Sequence, residues 1–569
     1  MKVGMKIRKC GFRKSLIMAV LFAVLLGNLC YWGIQKRGFY CDEMYSYHFV
    51  CQVDYPGING DREGETYLNN WHTSDYFMDY LTIGPGEAFD FAGVCRSISE
   101  DVHPPVYYLL LETVCSVVGF LLPGAFTKWC GIGLNIIFFV LTVFVLFRLA
   151  RKIFHSDFWA ALTCMLYGMS VGAVTTVMFL RMYMIFTFTC VLFVRLNYEF
   201  FKQLWTGEKR RRVLLFSGLF AVAVFGILNH YYFFLFAFFT CLFLWSYALL
   251  KKEFLFSIQY AAVMGAGIGV SYLLWPYMRE DIFSGYRGVE AFNNLTAENG
   301  YQESILAFFG LLREELLGLG TMIAVLLLLG GIVFICVSLL WKMETGISAE
   351  GIRWNFERKE KRNKGSFLLR AEDLYLIQIA LAAGFYLALV AKIAPYQEDR
   401  YILNIYPMAA LVMVWAVERV FGRLLRKACG KRILAAVCAC IVWTGYLSPG
   451  VNYLYEDSGK KLEEADRYAH LPVFYVTKDN NRYRAAGDSY FLARANDVYP
   501  IREEGISSIR EALETLEKEE GENYSQFFVY VDLAFEDVDV ILDEIERELG
   551  AHSARKLFET EYTGAWLVE

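Results

Sequence analysis

The sequence predicts a polytopic α-helical membrane protein with a soluble α/β domain at its C-terminal end. Three observations predict this fold class. Hydrophobic residues make up 56% of the 569 residues, and the mean hydropathy is +0.35. Apolar runs of about twenty residues recur up to residue 449, each long enough to cross a bilayer as a helix. Beyond residue 450 the composition changes to that of an ordinary soluble chain.

The first apolar run, from Ser15 to Ile34, follows the basic stretch 1–14. It is too long for the core of a cleaved signal peptide, and no small-residue cleavage site follows it. We therefore expect a signal-anchor helix whose N-terminus stays in the cytoplasm. A large first outer loop, residues 35–104, comes next.

Eleven more apolar segments bring the prediction to 12 transmembrane helices. They lie near residues 105–123, 130–147, 158–179, 182–201, 212–229, 231–250, 255–277, 320–341, 374–393, 401–421 and 433–449. Basic clusters, of which the stretch 342–372 is the longest, mark the cytoplasmic loops. Alternation then places these parts outside: the loop 35–104, the turns at Arg181 and His230, residues 278–303 and 394–400, and everything after 450.

One basic cluster conflicts with this alternation. Arg148, Arg151 and Lys152 are typical of a cytoplasmic loop, yet two apolar segments separate them from the first outer loop. Either one of those segments is short and re-entrant, or residues 157–180 hold two short passes. The second alternative gives 13 helices and leaves the cluster outside.

Residues 450–569 predict an extracytoplasmic α/β domain, separate from a transmembrane domain at 1–449. The stretches 472–477 and 527–533 have the composition of strands. Residues 506–519 and 536–549 predict amphipathic helices, and "GAWLVE" ends the chain as a further strand.

Charge and cysteine usage narrow the function classes. The net charge is −5, and no basic patch is typical of nucleic-acid binding. Most of the 14 cysteines lie in apolar runs, where cysteine acts as a small buried hydrophobe. Cys41, Cys51 and Cys95 share the first outer loop and leave room for one disulfide. No Cys-x-x-Cys spacing indicates a metal site.

An acidic pair stands just after the first apolar run. The sequence "GFYCDEMYSYHFV", residues 38–50, contains Asp42 and Glu43. Acids at the end of a membrane helix are usually solvated. Taken alone, the pair supports this interpretation and a functional one equally. A carboxylate kept partly dry by the surrounding aromatic residues would suit a general base at the membrane surface.

Two further motifs place polar residues at the same predicted face. "EDVHPPVYYLLL", residues 100–111, has Asp101 and His103 ahead of a helix that the prolines would start. "FLRMYMIF", residues 179–186, has Arg181 at a helix end, where an arginine either snorkels or holds a phosphate.

The last two motifs also fall on this face. "LNHYYFFLF" contains His230 and Tyr231, although a lone histidine is more often structural. "APYQEDRYILNIYP" contains Glu398, Arg400 and Tyr401 at the start of a helix. Each motif has a structural explanation, but all five converge. They predict one site at the lipid–water boundary for a ligand with an anionic head and an apolar tail.

Together these motifs resemble the polyprenyl-phosphate-dependent glycosyltransferases of the membrane GT-C type. The family 39 protein O-mannosyltransferases and the lipid A aminoarabinose transferases are the most similar groups. The resemblance rests on the acidic pair with Ser46, "HPPVYYLLL", "RMY", "HYYF" and "RYILNIYP". Their order and rough spacing agree over residues 15–421.

The resemblance implies transfer of a hexose or pentose from a polyprenyl phosphate to an acceptor hydroxyl, with inversion. Asp42 would be the base and Glu43 its support. The donor phosphate would be held by Arg181, Arg400 and Lys128. The other site candidates are Asp101, His103, Tyr183, His230, Tyr231 and Tyr401. The acceptor would be a protein, a lipid or a glycan of the cell envelope.

Two positions depart from the pattern of these enzymes. Lys128, in "FTKWCGIG", stands where they often have a basic residue within a different motif. Residues 178–180 are Met-Phe-Leu where they often have Gln-Glu-Ala. The missing acid leaves the use of a divalent metal open, and no other cofactor is implied.

A transporter or flippase for a lipid-linked or amphipathic substrate is the alternative from another class. Transporters tend to place ionisable residues in the middle of the membrane and to contain paired broken helices. Here the charges stand at helix ends, and the predicted outer loop and outer domain are large.

Overall fold

The computed structural model describes residues 2–51, 67–84, 86–208, 211–297, 300–320, 341–348, 351–358, 370–421, 428–478 and 482–569. The apolar segment predicted near 320–341 lies almost wholly outside these ranges, as does much of the basic stretch 342–372.

The described residues of the first half of the chain are mostly helical, with one short strand. Its elements are α1 Lys2–Gln35, α2 Cys41–Cys51, β1 His72–Thr73, α3 Ser74–Met78, α4 Phe91–Ile98, α5 Val106–Leu121, α6 Trp129–Phe154, α7 Asp157–Gly168, α8 Val171–Met178, α9 Tyr183–Thr206, α10 Arg212–Ile227, α11 Tyr232–Leu250, α12 Phe254–Leu274, α13 Met278–Phe283, α14 Tyr286–Thr296 and α15 Tyr301–Leu317.

Where the structure describes it, the second half adds a hairpin, three long helices and a sheet with its own helices. Its elements are β2 Trp341–Ser348, β3 Gly351–Arg358, α16 Ala371–Ile393, α17 Tyr406–Phe421, α18 Ala428–Leu447, α19 Ser458–Arg467, β4 Val473–Thr477, α20 Tyr483–Leu492, β5 Asp497–Arg502, α21 Ile509–Glu520, β6 Phe527–Asp532, α22 Val538–Leu549, β7 Ala554–Glu559 and β8 Thr563–Val568.

Several helices have the length and composition of membrane spans. Within the described ranges, seven pass this test: α1 from Leu16, α6, α9, α11, α12, α16 and α18 from Gly430. The pair α7–α8 passes as an eighth, with a bend of 57° at its break. The prediction of a multi-pass α-helical membrane protein is confirmed, while the count of 12 to 13 spans stays a prediction.

Helix α5 is short for a membrane span, and contacts near both of its ends lead to elements around the acidic pair. At its start, the Val106 amide donates to the Leu228 carbonyl beside His230. Just after its end, Phe126 packs against Tyr490, which belongs to α20 beside the C-terminal sheet. This 16-residue helix also packs against α2. Both alternatives for the basic cluster at Arg148, Arg151 and Lys152 stay predictions.

The C-terminal sheet has six strands in the order β1-β5-β4-β6-β8-β7. Strands β5, β4 and β6 are parallel, and the remaining neighbours are antiparallel. Every residue of β4, β6 and β8 is buried, as expected for strands covered on both faces. The predicted strands and helices of this region are present, close to their expected bounds.

The sheet also reaches across the predicted domain boundary. Strand β1 comes from the first loop, and His72 pairs with Val498 of β5. The loop and the C-terminal sheet are thus one structural layer. Helix α2, which carries the acidic pair, packs against α20 of the same layer.

Candidate functional site

A buried ion pair fixes helix α2 to the end of α1. Lys36 Nζ donates to both carboxylate oxygens of Glu43, at 3.1 and 2.9 Å, and to the Tyr453 carbonyl at 2.5 Å. Glu43 also accepts from the amides of Tyr40 and Leu180, each at 2.7 Å. Burial raises the pKa of Glu43 and lowers the pKa of Lys36, so each needs the other to stay charged.

The two members of the acidic pair therefore differ in their surroundings. Successive residues of a helix point about 100° apart, so adjacent side chains face different directions. Glu43 is fully buried and its oxygens are occupied, whereas the Asp42 side chain is 28% exposed. Asp42 Oδ2 accepts from Arg400 Nη1 at 2.8 Å. Of the two acids, only Asp42 is placed to meet a ligand.

Arg181 connects the acidic helix to the motif that begins α5. Its Nη1 donates to the Asp42 carbonyl at 3.0 Å and to Ser46 Oγ at 2.9 Å. Its Nη2 lies 3.3 Å from His103 Nε2, and His103 Nδ1 lies 2.6 Å from Asp101 Oδ2. This geometry assigns the histidine proton to Nδ1, because Nε2 faces a donor.

The carboxylate of Asp101 orients this histidine. Burial opposes its ionisation, but His103 and Arg181 outweigh burial and hold the pKa of Asp101 below its usual value. Asp101 itself does not line the cavity described below.

Arg400 lies between two carboxylates. Its Nη1 donates to Asp42, and its Nε lies 2.6 Å from Glu398 Oε2. Its guanidinium carbon stands 5.7 Å from the centre of the Tyr40 ring and 5.5 Å from that of Tyr401. Burial raises the pKa of Glu398 although Arg400 opposes this.

Asp42, His103, Arg181 and Arg400 face one cavity of about 130 Å³, which we call the arginine cavity. Its lining residues are Asp42, Val102, His103, Pro104, Arg181, Tyr183, His230, Tyr231, Tyr232, Tyr286, Arg287, Pro395, Arg400 and Tyr401. All five motifs singled out in the sequence contribute to this lining. The acidic pair supplies only Asp42, and each of the other four supplies a charged or polar side chain together with a sequence neighbour.

His230 contributes a neutral surface to this cavity. Its ring stacks on Phe186 with centroids 4.8 Å apart. Burial, together with the nearby His103 and Arg181 side chains, lowers the pKa of His230 to about 3. Next to it, the Tyr231 hydroxyl donates to Asp281, whose pKa burial raises to about 6.

Lys128 is the predicted phosphate-binding residue that the structure places elsewhere. Its Nζ donates to the carbonyls of Ile34 and Lys36, behind the ion pair of α1 and α2. Burial and the nearby charges of Arg37 and Lys36 lower the pKa of Lys128 to about 8. It does not line the arginine cavity.

Arg287 is a cavity residue that the sequence analysis missed. It stands in the first turn of α14, with its guanidinium carbon 4.9 Å from the centre of the Tyr286 ring. Its Nη1 donates to Glu290 Oε2 at 2.9 Å. Its only signal in the sequence was a position in the stretch 278–303 assigned to the outer face, without a motif around it.

The C-terminal sheet reaches the acidic helix through the turn between β7 and β8. Glu561 Oε2 accepts from the Cys41 amide at 3.1 Å, and Tyr562 shares a hydrogen bond of 2.6 Å with Tyr45. Because Cys41 is the first residue of α2, Glu561 satisfies an amide at the helix N-terminus. The C-terminal sheet thereby helps to position Asp42.

Within the described ranges, no group of three or more His, Cys, Asp or Glu side chains is arranged to hold a metal ion. Cys41, Cys51 and Cys95 are all free thiols, so the disulfide that the first loop left open is not formed among them.

Comparison with solved structures finds a protein of similar fold. The crystal structure of ArnT from Cupriavidus metallidurans bound to undecaprenyl phosphate matches with a TM-score of 0.50 and 12% identity. The match covers 96% of this chain and 97% of that one. The apo state of the same protein matches with a TM-score of 0.45 and 11% identity, over 97% of each chain.

Comparisons of sequence alone find no such relative. No family model matches the chain, and no curated protein matches it significantly. At 12% identity, the structural match concerns the fold. The resemblance inferred from the motifs is confirmed at that level: the chain shares the fold of ArnT over almost its whole length.

Proposed function

We propose that this chain is an integral-membrane glycosyltransferase. It moves a sugar from a polyprenyl-phosphate donor to an acceptor hydroxyl at the outer membrane face, with inversion. The observation that carries the proposal is a single cavity in which one carboxylate, Asp42, faces three arginines. This cavity occurs in the fold of a protein that was crystallised with undecaprenyl phosphate.

The donor phosphate binds among Arg181, Arg287 and Arg400. Guanidinium groups match the geometry of phosphate oxygens, and two such pairs orient the anion as well as attract it. As the bond between the anomeric carbon and the phosphate oxygen breaks, negative charge grows on the leaving phosphate. Fixed cations in a poorly hydrated cavity stabilise that charge. Lys128, which lies behind the cavity, takes no part in this proposal.

Asp42 acts as the base. The acceptor oxygen forms a bond to the anomeric carbon on the face opposite the phosphate, and its proton passes to a carboxylate oxygen of Asp42. The polyprenyl phosphate leaves with the electron pair of the broken bond. Glu43 supports Asp42 indirectly, since its ion pair with Lys36 holds α2 in place.

The placement of the charges also argues against a transporter. His103, Arg181 and His230 lie before or between helices, and Arg400 lies in a short 3-10 helix. None of them stands in the middle of a candidate span. In the proposed orientation the N-terminus is cytoplasmic. The first loop and the C-terminal sheet are extracytoplasmic, above the site.

Binding of undecaprenyl phosphate tests the proposal directly. We would titrate it into the protein in phospholipid nanodiscs and follow the complex by native mass spectrometry. Saturable binding is expected, and Arg400→Ala should weaken it by at least tenfold, because hydrogen-bonded charge pairs contribute about 1.5–3 kcal/mol. The matched control is Arg279→Ala, an exposed arginine of α13 that lies outside the cavity. Equal binding by all three proteins would contradict the proposal.

A further inference from the structure

A second cavity of about 770 Å³ opens on the other side of Arg400, and we call it the aromatic groove. It lies where the end of α1, helix α15 and the end of α18 meet the segment before Arg400. Its lining residues are Trp32, Tyr40, Leu311, Gln397, Glu398, Asp399, Tyr446, Gly450, Val451, Asn452, Tyr453, Leu454, Tyr455 and Glu456.

Half-buried aromatic rings dominate the apolar part of this groove. Trp32 stacks on Tyr446, with centroids 5.4 Å apart and ring planes 6° apart. Tyr453 is held in the same way against Phe179, at 4.0 Å. Rings that are fixed on one side offer a rigid apolar surface with a polar edge to a ligand. The C–H face and hydroxyl groups of a sugar ring complement such a surface.

The polar part of the groove is acidic. Glu398, Asp399 and Glu456 line it, and among the described residues its lining contains no lysine or arginine. Asp399 is oriented by Asn452 Nδ2 at 3.0 Å and by the Tyr453 hydroxyl at 3.2 Å. Carboxylates accept hydrogen bonds from hydroxyl groups and repel a phosphate. The groove therefore favours a polyol without phosphate groups.

The wall between the groove and the arginine cavity is thin. Glu398 faces the groove and Asp42 faces the cavity, and the guanidinium of Arg400 contacts both, at 2.6 and 2.8 Å. Tyr40 also lines the groove, two residues before Asp42. A ligand in the groove would thus lie next to the proposed base.

We propose that the aromatic groove is the acceptor subsite and that it takes an uncharged saccharide. The acceptor hydroxyl is then a sugar hydroxyl, and the product is a longer or branched glycan. This inference rests on the proposed function, because it names the acceptor class of the same reaction.

Saturation-transfer NMR tests it on the full chain in nanodiscs of phosphatidylcholine and phosphatidylglycerol, without sugar-based detergent. The neutral probes are maltose, lactose, mannobiose and chitobiose, and the anionic probe is glucose 1-phosphate. At least one neutral disaccharide should bind saturably and more tightly than glucose 1-phosphate. Trp32→Ala should weaken that binding about two- to tenfold, since the ring contact with the sugar is lost. Trp32→Phe, which keeps a ring, should retain most of it.

The matched control is Trp443→Ala, because Trp443 stands on α18 but is 62% exposed and lies outside the groove. The inference is overturned if no neutral disaccharide binds, if glucose 1-phosphate binds more tightly, or if Trp32→Ala changes no more than the control. Undecaprenyl phosphate is measured in the same samples and also reports that each variant is folded. If it binds while the saccharides do not, the inference fails and the proposed function stands. If it does not bind, the proposed function fails and the inference with it.

Discussion

The arginine cavity and the aromatic groove share one wall but differ in charge. The cavity has three arginines, two histidines and one carboxylate. The groove has three carboxylates and five aromatic rings. An anionic ligand is therefore attracted to the arginine cavity and repelled by the aromatic groove.

This difference explains how one face could keep two substrates apart. A donor phosphate and an acceptor sugar compete for the same polar groups when they share a pocket. Here the residue common to both is Arg400, which contacts Asp42 on one side and Glu398 on the other. The two substrates would meet only at this wall, where the base stands.

The largest expected effect comes from Asp42→Asn. It should lower sugar transfer by about 100- to 10,000-fold, the range typical of a general base, while binding of undecaprenyl phosphate is retained. Release of undecaprenyl phosphate from its sugar-bearing form in nanodiscs measures the rate. Asp457→Asn, an exposed acid with 66% of its side chain accessible, is the control. Full turnover by Asp42→Asn would remove Asp42 from the base role.

Replacement of Glu43, the neighbouring acid, should reduce the stability of the protein, whereas Asp42→Asn should reduce the rate of sugar transfer. Glu43→Ala leaves Lys36 buried without its partner, and such a loss costs about 3–5 kcal/mol in the free energy of unfolding. Glu464→Ala removes an exposed pair with Arg467 and should cost about 0–1 kcal/mol. Thermal unfolding in nanodiscs compares the two. A stable Glu43→Ala protein without activity would instead indicate a direct catalytic role.

Arg287→Ala should produce a smaller change, confined to the arginine cavity. Undecaprenyl phosphate should bind about tenfold more weakly, because one charge-assisted contact is lost. Disaccharide binding in the groove should not change. Arg279→Ala again serves as the neutral control. Loss of both ligands together would mean that the two cavities are not independent.

The last expected effect concerns His230 and appears only as the pH falls. Its folded pKa of about 3 lies below the usual value of about 6.5, so the unfolded chain binds more protons between these values. Its contribution to stability is therefore complete above pH 6.5 and is lost as the pH falls. Between pH 7 and 5 the loss is roughly 2 kcal/mol. His230→Gln should reduce the fall in the unfolding midpoint over that interval, and an unchanged fall would refute this assignment.

The sequence analysis named most of the charged residues that line the arginine cavity, but few of the contacts around them. His103, Arg181, His230 and Arg400 could be predicted because each is a polar residue at the end of an apolar segment. Arg287 could not, because it stands in a polar stretch where an arginine carries no signal. Lys128 was a reasonable candidate by position in the chain, but its ammonium group faces the carbonyls of Ile34 and Lys36.

The other contacts of the site could not be predicted, because each depends on a partner that no local sequence pattern indicates. The role of Glu43 depends on Lys36, seven residues earlier, which looked like an ordinary residue flanking a membrane helix. The contact between Glu561 and Cys41 joins residues 520 positions apart. Strand β1 has only two residues and no strand pattern of its own, so its place in the C-terminal sheet comes from pairing with β5. By contrast, the apolar helices were predictable because their signal is local.

A structure of the protein with undecaprenyl phosphate would test the two-cavity account most directly. The account predicts the phosphate within hydrogen-bonding distance of Arg181 and Arg400 in the arginine cavity, with the aromatic groove free of lipid. A phosphate seated in the groove against Trp32 and Glu398 would contradict it.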